Sequence, residues 1–422
     1  IGLPRLLAGL APSGAAMTLA EHEALHGPLP TISGAALIEA AYRSGLRGRG
    51  GADFPTATKL RAIPPGRKAT LVVNGSETEP ASAKDQLLLS RLPHLVLDGA
   101  SLAARAIDAH EVIVIAGGHQ TGVLAALQQA MAVRRDARIV FELAAGPGGY
   151  VTGEETAVLH YIGRGIAKPT LVPPRPYERG LDGRPTLVQN PETLAQLALI
   201  ARFGSRWFRE LGSDADPGSV LVTISGAVHN PGVYELAFGT AMADLLAAAG
   251  DPSEPLQALL VGGYFGTWIA ANQAIKLQLS REQLRSAGAS LGSGVVIALG
   301  ESACGLHETA RLIDYLAGQS AGQCGPCVHG LAAIADSVAA LADGHAHPHE
   351  LTRLLRWTEE VRGRGACHHP DGAVRLVRSA LSVFGHDVEH HRRVGCSAPP
   401  VGLPLGQPMG ATTGPTGRGA RR

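Results

Sequence analysis

The 422 residues suffice for about three domains at roughly 150 residues each, and a 45% hydrophobic content excludes global disorder. Lys and Arg (37) balance Asp and Glu (36) to a formal charge of +1, which argues against a dedicated nucleic-acid binder with its basic excess on one face. The 54 glycines and 28 prolines exceed the usual combined share of about 12%, and no window reaches the roughly 18 apolar residues of a membrane helix.

Residues 1–35 read as a loop-like extension with one short helix near 19–26. The apolar run at 6–16 is broken by Pro12 and preceded only by Arg5, so it does not have the pattern of a secretory leader. From residue 36 strands and helices alternate: a helix to Ser44, a strand at 70–74, a helix at 94–107, a strand at 111–116, a helix at 121–133 and a strand at 138–143. This order predicts a mostly parallel α/β sheet over 36–205 with ligand loops at the strand ends. After Arg206 the texture changes to strands at 219–225, 232–236, 258–261 and 295–299 around one helix at 240–249. That pattern predicts a small α+β unit over 206–300. Residues 301–396 are almost purely helical, with segments at 310–316, 328–341, 349–362 and 374–383. The last 26 residues hold six glycines, five prolines and no acid, and read as a disordered tail over 397–422.

Three stretches carry chemistry. Gly45, Gly48, Gly50 and Gly51 alternate with Arg47 and Arg49, so backbone N–H groups can approach a phosphate and two cations can add charge. The strand at 70–74 ends in Asn74, followed by Ser76, Glu77, Glu79, Lys84 and Asp85, polar residues where open α/β sheets bind ligands. Near residue 153 a helix opens with Glu154 and Glu155, acids that the helix dipole favours, so capping is a sufficient reason for them. Five cysteines, an odd number, do not suit an extracellular disulfide framework. A reduced cytoplasmic compartment suits them better, peripheral to a membrane complex at most and with no direct membrane insertion.

In this order, and with the run from Gly183 to Leu194, these stretches closely resemble the flavoprotein, NADH-oxidising subunit of respiratory complex I and its relatives in soluble hydrogenases and formate dehydrogenases. The resemblance runs from Ile38 to Val394. It implies a multidomain α/β protein with a Rossmann-like FMN domain, a β-grasp domain of the soluble-ligand-binding type and a C-terminal helical-bundle iron–sulfur domain. It further implies that Gly48, Arg49, Gly50, Gly51 and Lys59 cradle FMN. Asn74 and Ser76 would contact it, Tyr150, Gly153, Glu154 and Glu155 would line its ring, and Gln189, Asn190 and Thr193 would close its phosphate end. Phe54 and Glu79 would meet the dinucleotide. The implied reaction is hydride from NADH or NADPH to FMN, then electrons through a cluster to an iron–sulfur partner subunit. No separate catalytic residue is implied, because positioning is most of the work.

Several positions depart from the family pattern. Asp53 replaces a glycine, Ser76 an aspartate and Val172 a lysine, and the two aromatic positions that sandwich the adenine are Ala62 and Arg175. The cluster motif keeps Cys324, Cys327 and Cys367 but carries Ala321 at the first ligand position. Three thiolates could hold a 3Fe-4S cluster, or a 4Fe-4S cluster with water or a nearby histidine such as His329 at the last iron. His368 and His369 could also serve there. Cys304 and Cys396 read as free thiols, and His390 and His391 as solvated partners of a helix end. These departures leave open two other readings: a flavin protein fed by a ferredoxin, and a non-catalytic scaffold subunit.

Overall fold

The computed structural model describes residues 2–136, 138–396, 398 and 401–406. After α1 (Leu19–His26), α2 (Gly34–Ser44) and α3 (Thr56–Arg61) comes a four-stranded, wholly parallel sheet in the order β3-β2-β1-β4. Its strands are β1 (Ala69–Gly75), β2 (Ala109–Gly117), β3 (Val140–Gly146) and β4 (Thr186–Gln189). Between them run α4 (Lys84–Arg91), α5 (Pro93–Ala106), α6 (Thr121–Val133) and α7 (Glu155–Arg164), and α8 (Pro191–Arg209) follows. The central runs of β1 (Leu71–Val73) and β2 (Val112–Ala116) are apolar without interruption because both faces of the sheet are covered there. Leu71, Val73, Val112 and Val114 point to the layer of α5 and α8, whereas Val72, Ile113 and Ile115 point to α7. Gly99 permits the closest helix approach, since a Cβ there would stand 1.9 Å from the Leu194 carbonyl oxygen. This contact fixes where the first turn of α8 meets the sheet.

The second sheet is mixed, in the order β6-β5-β9-β7-β8. It comprises β5 (Ser219–Gly226), β6 (Gly232–Ala237), β7 (Leu256–Val261), β8 (Thr267–Ala270) and β9 (Val295–Gly300), with α9 (Met242–Ala248), α10 (Ala271–Ala274) and α11 (Arg281–Ser286). One face packs on α9 through Val222, Leu259 and Val296. The other, through Leu260, Trp268 and Ile297, packs on the helices that follow. These are α12 (Gly305–Gly318), α13 (Ala332–Ala342), α14 (Glu350–Val361) and α15 (His369–Val394), with a π-helical turn at Pro326–Leu331. Trp268 meets Phe384 of α15 edge-on at 5.3 Å and joins the two domains.

The short strands β4 and β8 and the long helix α8 are elements that the sequence pattern does not announce. Residues 407–422 of the expected tail lie outside the described residues, as do 397, 399 and 400. Residues 401–406, expected to be disordered, instead return to α12, where the Glu308 carboxylate accepts from the backbone N–H groups of Val401, Gly402 and Leu403. Leu403 supplies the apolar contact that the composition obscures and is 3% exposed. Among the described residues no helix is long and apolar enough to cross a membrane.

Candidate functional site

Beyond the C-terminal ends of β1 and β4 lies a cavity of about 480 Å³, within the usual range for cofactor pockets of roughly 300–1,000 Å³. Its wall comprises the backbone of Gly48, Arg49 and Gly50, together with Phe54, Lys59, Asn74 and Glu79. Gly153, Glu154, Glu155, Gln189, Asn190 and Thr193 complete the set of expected residues found there. The sequence brings these positions together because two helices, α7 and α8, start at the strand ends and direct their first turns inward. Asn190 caps α8, its Oδ1 accepting from Glu192 N–H at 3.0 Å, while its Nδ2 donates to Asp85 at 2.6 Å. Thr193 Oγ1 accepts from Arg49 N–H at 2.9 Å and holds the glycine loop against α8. Asn74 Nδ2 donates to the Gly153 carbonyl at 2.9 Å. Lys59 pairs with Glu155 at 2.9 Å. Glu154 is the N-cap of α7 and accepts from Thr156 and Ala157 N–H, so capping accounts for its side chain.

Four expected positions differ from the sequence reading. The Arg49 guanidinium does not face the cavity. It is buried, donates to Ser219 O at 3.3 Å and lies 4.7 Å from the Phe238 ring centre, and burial lowers its pKa. Gly51 lines a neighbouring cavity of about 360 Å³ on the β-grasp side, beside Phe238 and Gly292. Ser76 is turned into the protein, 5% exposed, with its N–H donating to Asn74 Oδ1. Tyr150 stands behind the wall, where its O–H donates to Glu79 Oε2 at 2.7 Å and its ring packs on Phe265. Arg47 is likewise engaged, with Asp53 at 2.9 Å. Neither arginine of the loop is therefore an unpaired phosphate cation.

The wall is electrostatically unusual. Burial pushes the Glu79 carboxyl up to about 7, although Tyr150 O–H and Tyr264 N–H both donate to it. Burial, then neighbouring Asp85, pushes Glu77 up to about 6. Lys84 is fully buried; burial opposes its charge, but Asp85 and Glu192, at 3.0 and 2.9 Å, outweigh that and raise its pKa. The sequence marks Lys84 and Asp85 without giving them a role, and it does not mark Thr78 and Ser293, which also line the cavity. Ser293 comes from the β-grasp domain, and its signal is the glycine on each side. Its Oγ is buried beside Gly263 and has no hydrogen-bond partner among the described residues. A phosphate- and hydroxyl-rich cofactor fits such a wall: an unpaired hydroxyl, backbone amides and a helix N-terminus.

Cys324, Cys327 and Cys367 surround a small pocket with Ala321, Val151 and His369. Burial, then Cys324 and Cys367, pushes the Cys327 thiol up to about 12, as expected of thiols gathered without a cation. His369 Nε2 bonds the Leu316 carbonyl oxygen at 2.8 Å, and its buried Nδ1 has no partner among the described residues. His329 is exposed and the side chain of His368 is fully open. Three thiols and one orphaned nitrogen fit an iron–sulfur cluster. His391, expected at a solvated helix end, is 5% exposed because α15 continues to Val394 and buries it against α12.

Residues 41–199 match the Nuo51 FMN-binding domain, 221–258 the SLBB domain, and 299–391 the NADH-ubiquinone oxidoreductase-F iron–sulfur binding region. The second F-type subunit of the NADH-quinone oxidoreductases of Rhizobium meliloti is 32% identical over 372 residues, covering 84% of this chain and 88% of that protein. The F-type subunit of the NADH-quinone oxidoreductase of Mycobacterium tuberculosis H37Rv is 33% identical over 385 residues, covering 86% of each. A chain of the NAD⁺-reducing [NiFe]-hydrogenase in the H₂-reduced state superposes with a TM-score of 0.79 at 32% identity. That match covers 86% of this chain and 63% of the hydrogenase chain. The chain belongs to the family of F-type NADH-quinone oxidoreductase subunits, the FMN- and iron–sulfur-dependent electron-transfer proteins that oxidise NADH.

Proposed function

We propose that the chain takes hydride equivalents from NADH at the 480 Å³ cavity and passes electrons through the thiol pocket to an iron–sulfur partner subunit. The junction between the two sites carries this reading. Val151 lines the thiol pocket while Gly153 and Glu154 line the cavity, so one 3-10 turn, Val151–Gly153, separates them. FMN held in the cavity supplies the step from a two-electron donor to one-electron carriers. The chain's own residues orient and enclose. The backbone at Gly50 and the N-terminal dipole of α8, which runs from Pro191 to a break at Gly204, favour a phosphate. Phe54, half exposed at the rim, and Arg175 face the path of the dinucleotide.

Cys324, Cys327 and Cys367 are the thiolate ligands in this reading, and His369 is the fourth donor. The orphaned Nδ1 of His369 supports it over the exposed His329. The purified protein should be yellow, contain iron, and lose its flavin absorbance when NADH is added without oxygen. Flavin that bleaches only with reduced ferredoxin would replace the donor. A colourless, iron-free protein would favour the scaffold reading.

A further inference from the structure

The two cysteines outside the cluster motif do not lie apart. Sγ of Cys304, a ring nitrogen of His307 and Sγ of Cys396 all lie within 4.8 Å of one another. A fourth donor lies at the edge of this group: His391 Nε2 stands 3.6 Å from Cys304 Sγ but outside the 4.8 Å spacing that the other three share, so closing a tetrahedron requires its ring to move inward. With zinc–sulfur bonds of about 2.3 Å and zinc–nitrogen bonds of about 2.0 Å, two donors on one tetrahedral ion stand about 3.5 Å apart. The surroundings also suit a metal. Cys304 caps α12; burial pushes its thiol up to about 12, and the bond its sulfur accepts from His307 N–H at 3.4 Å offsets only part of that, so the thiol ionises when a cation is present to pair it. His307 Nε2 lies 3.2 Å from the Asp343 carboxylate, the kind of partner that commonly orients a metal-bound imidazole. None of these residues lines the pocket of Cys324, Cys327 and Cys367.

We propose that Cys304, His307, His391 and Cys396 form a second metal centre, for a single zinc ion, that fastens the end of α15 to the start of α12. Two sulfur and two nitrogen donors in a closed, tetrahedral set select zinc over magnesium or calcium, which require oxygen. Binding displaces the protons of the two thiols and involves no redox change. The consequence is positional. Just past Cys396 the chain returns to Glu308, and the Tyr264 hydroxyl donates to Pro404 O. Tyr264 in turn donates its N–H to Glu79 in the cavity wall. The zinc thus anchors the segment that backs the flavin site.

The test is elemental analysis of the full chain, produced with zinc and iron in the medium and purified without oxygen or chelator. The wild type should hold about one zinc besides its iron. Cys304→Ser and Cys396→Ser should each lose most of the zinc and keep iron and flavin, whereas Cys367→Ser should lose iron and keep zinc. Cobalt exchanged into the wild type should give a thiolate charge-transfer band that Cys396→Ser abolishes. Because Cys396 follows the last helix, that variant remains informative where Cys304→Ser fails to fold. A zinc-free wild type, a Cys304–Cys396 disulfide in its mass spectrum, or zinc that disappears only with Cys324, Cys327 or Cys367 would each overturn the proposal.

Discussion

Glu79→Gln isolates the most perturbed carboxyl of the cavity wall. Burial moves its pKa from the ordinary 4.5 to about 7, a change that corresponds to about 3 kcal/mol between protonation states. The folded protein therefore binds one more proton than the unfolded chain between those values. Stability from this group is fully present below pH 4.5, falls as pH rises through 7, and is level above. The substituted glutamine keeps the shape, and its carbonyl oxygen can accept from Tyr264 N–H and Tyr150 O–H, but it has no such pH dependence. The variant should thus gain on the wild type by up to about 3 kcal/mol between pH 5 and pH 8. Thermal midpoints of the two flavin-stripped proteins, measured across that range in matched buffers, give the difference directly, because every other titrating group is shared. Parallel curves would refute the reasoning, for they would mean that Glu79 ionises in the fold as it does in water.

Gly50→Val should cost at least tenfold in flavin occupancy, read from the ratio of flavin to protein absorbance. A Cβ there already stands 3.2 Å from Asn190 Cβ, and Asn190 is held from both ends by α8 and Asp85. Full occupancy would show that the glycine loop does not cradle the cofactor. Ala321→Cys supplies a fourth thiol to the cluster pocket and should raise iron content or slow iron loss in air; an introduced thiol that alkylates freely in the loaded protein would contradict the ligand assignment. Ala62→Phe with Arg175→Phe should tighten NADH by about a hundredfold, since stacking a base is worth roughly 1–3 kcal/mol per ring. Rapid flavin reduction by low-micromolar NADH in the unaltered protein would show that Arg175 already does this work.

The elements that read best from sequence are those whose period has one cause. β1 and β2 are apolar on both faces because helices cover both, and α6 spans Thr121–Val133 as its pattern requires. β4 escapes notice because its four residues, Thr186–Gln189, are too few to show a period. Positions that gather at the cavity are legible where the local signal is short-range, as at Gly48 and Gly50 in the glycine loop and at Asn190, whose side chain caps the helix it begins. They are misread where the residue type suggests one partner and the tertiary neighbours supply another. Tyr150 belongs to a polar cluster with Glu79 and Gln319, fixed by residues 71 and 169 positions distant. No local pattern encodes such a contact. The same holds for His391, which an apparently open, charged helix end conceals beside Cys304.

The glycine loop shows how one sequence signal can divide into two functions. Its backbone faces the cavity, while its charged side chains face the β-grasp domain. Arg49 reaches Ser219 O and Phe238, and Asp53 pairs with Arg281 at 2.8 Å, which pairs onward with Asp216. A lone carboxylate at Asp53 would repel a pyrophosphate, but Arg47 and Arg281 hold it between them and largely cancel that field. Its φ of +48° is a conformation that aspartate tolerates better than most residues, so glycine's place in the family pattern is filled without loss of the turn. What the departure changes is therefore the tether of the loop and not the net charge beside the cavity. A loop fastened at both Arg49 and Asp53 has its position set by the β-grasp domain, which makes that domain part of the cavity's framework.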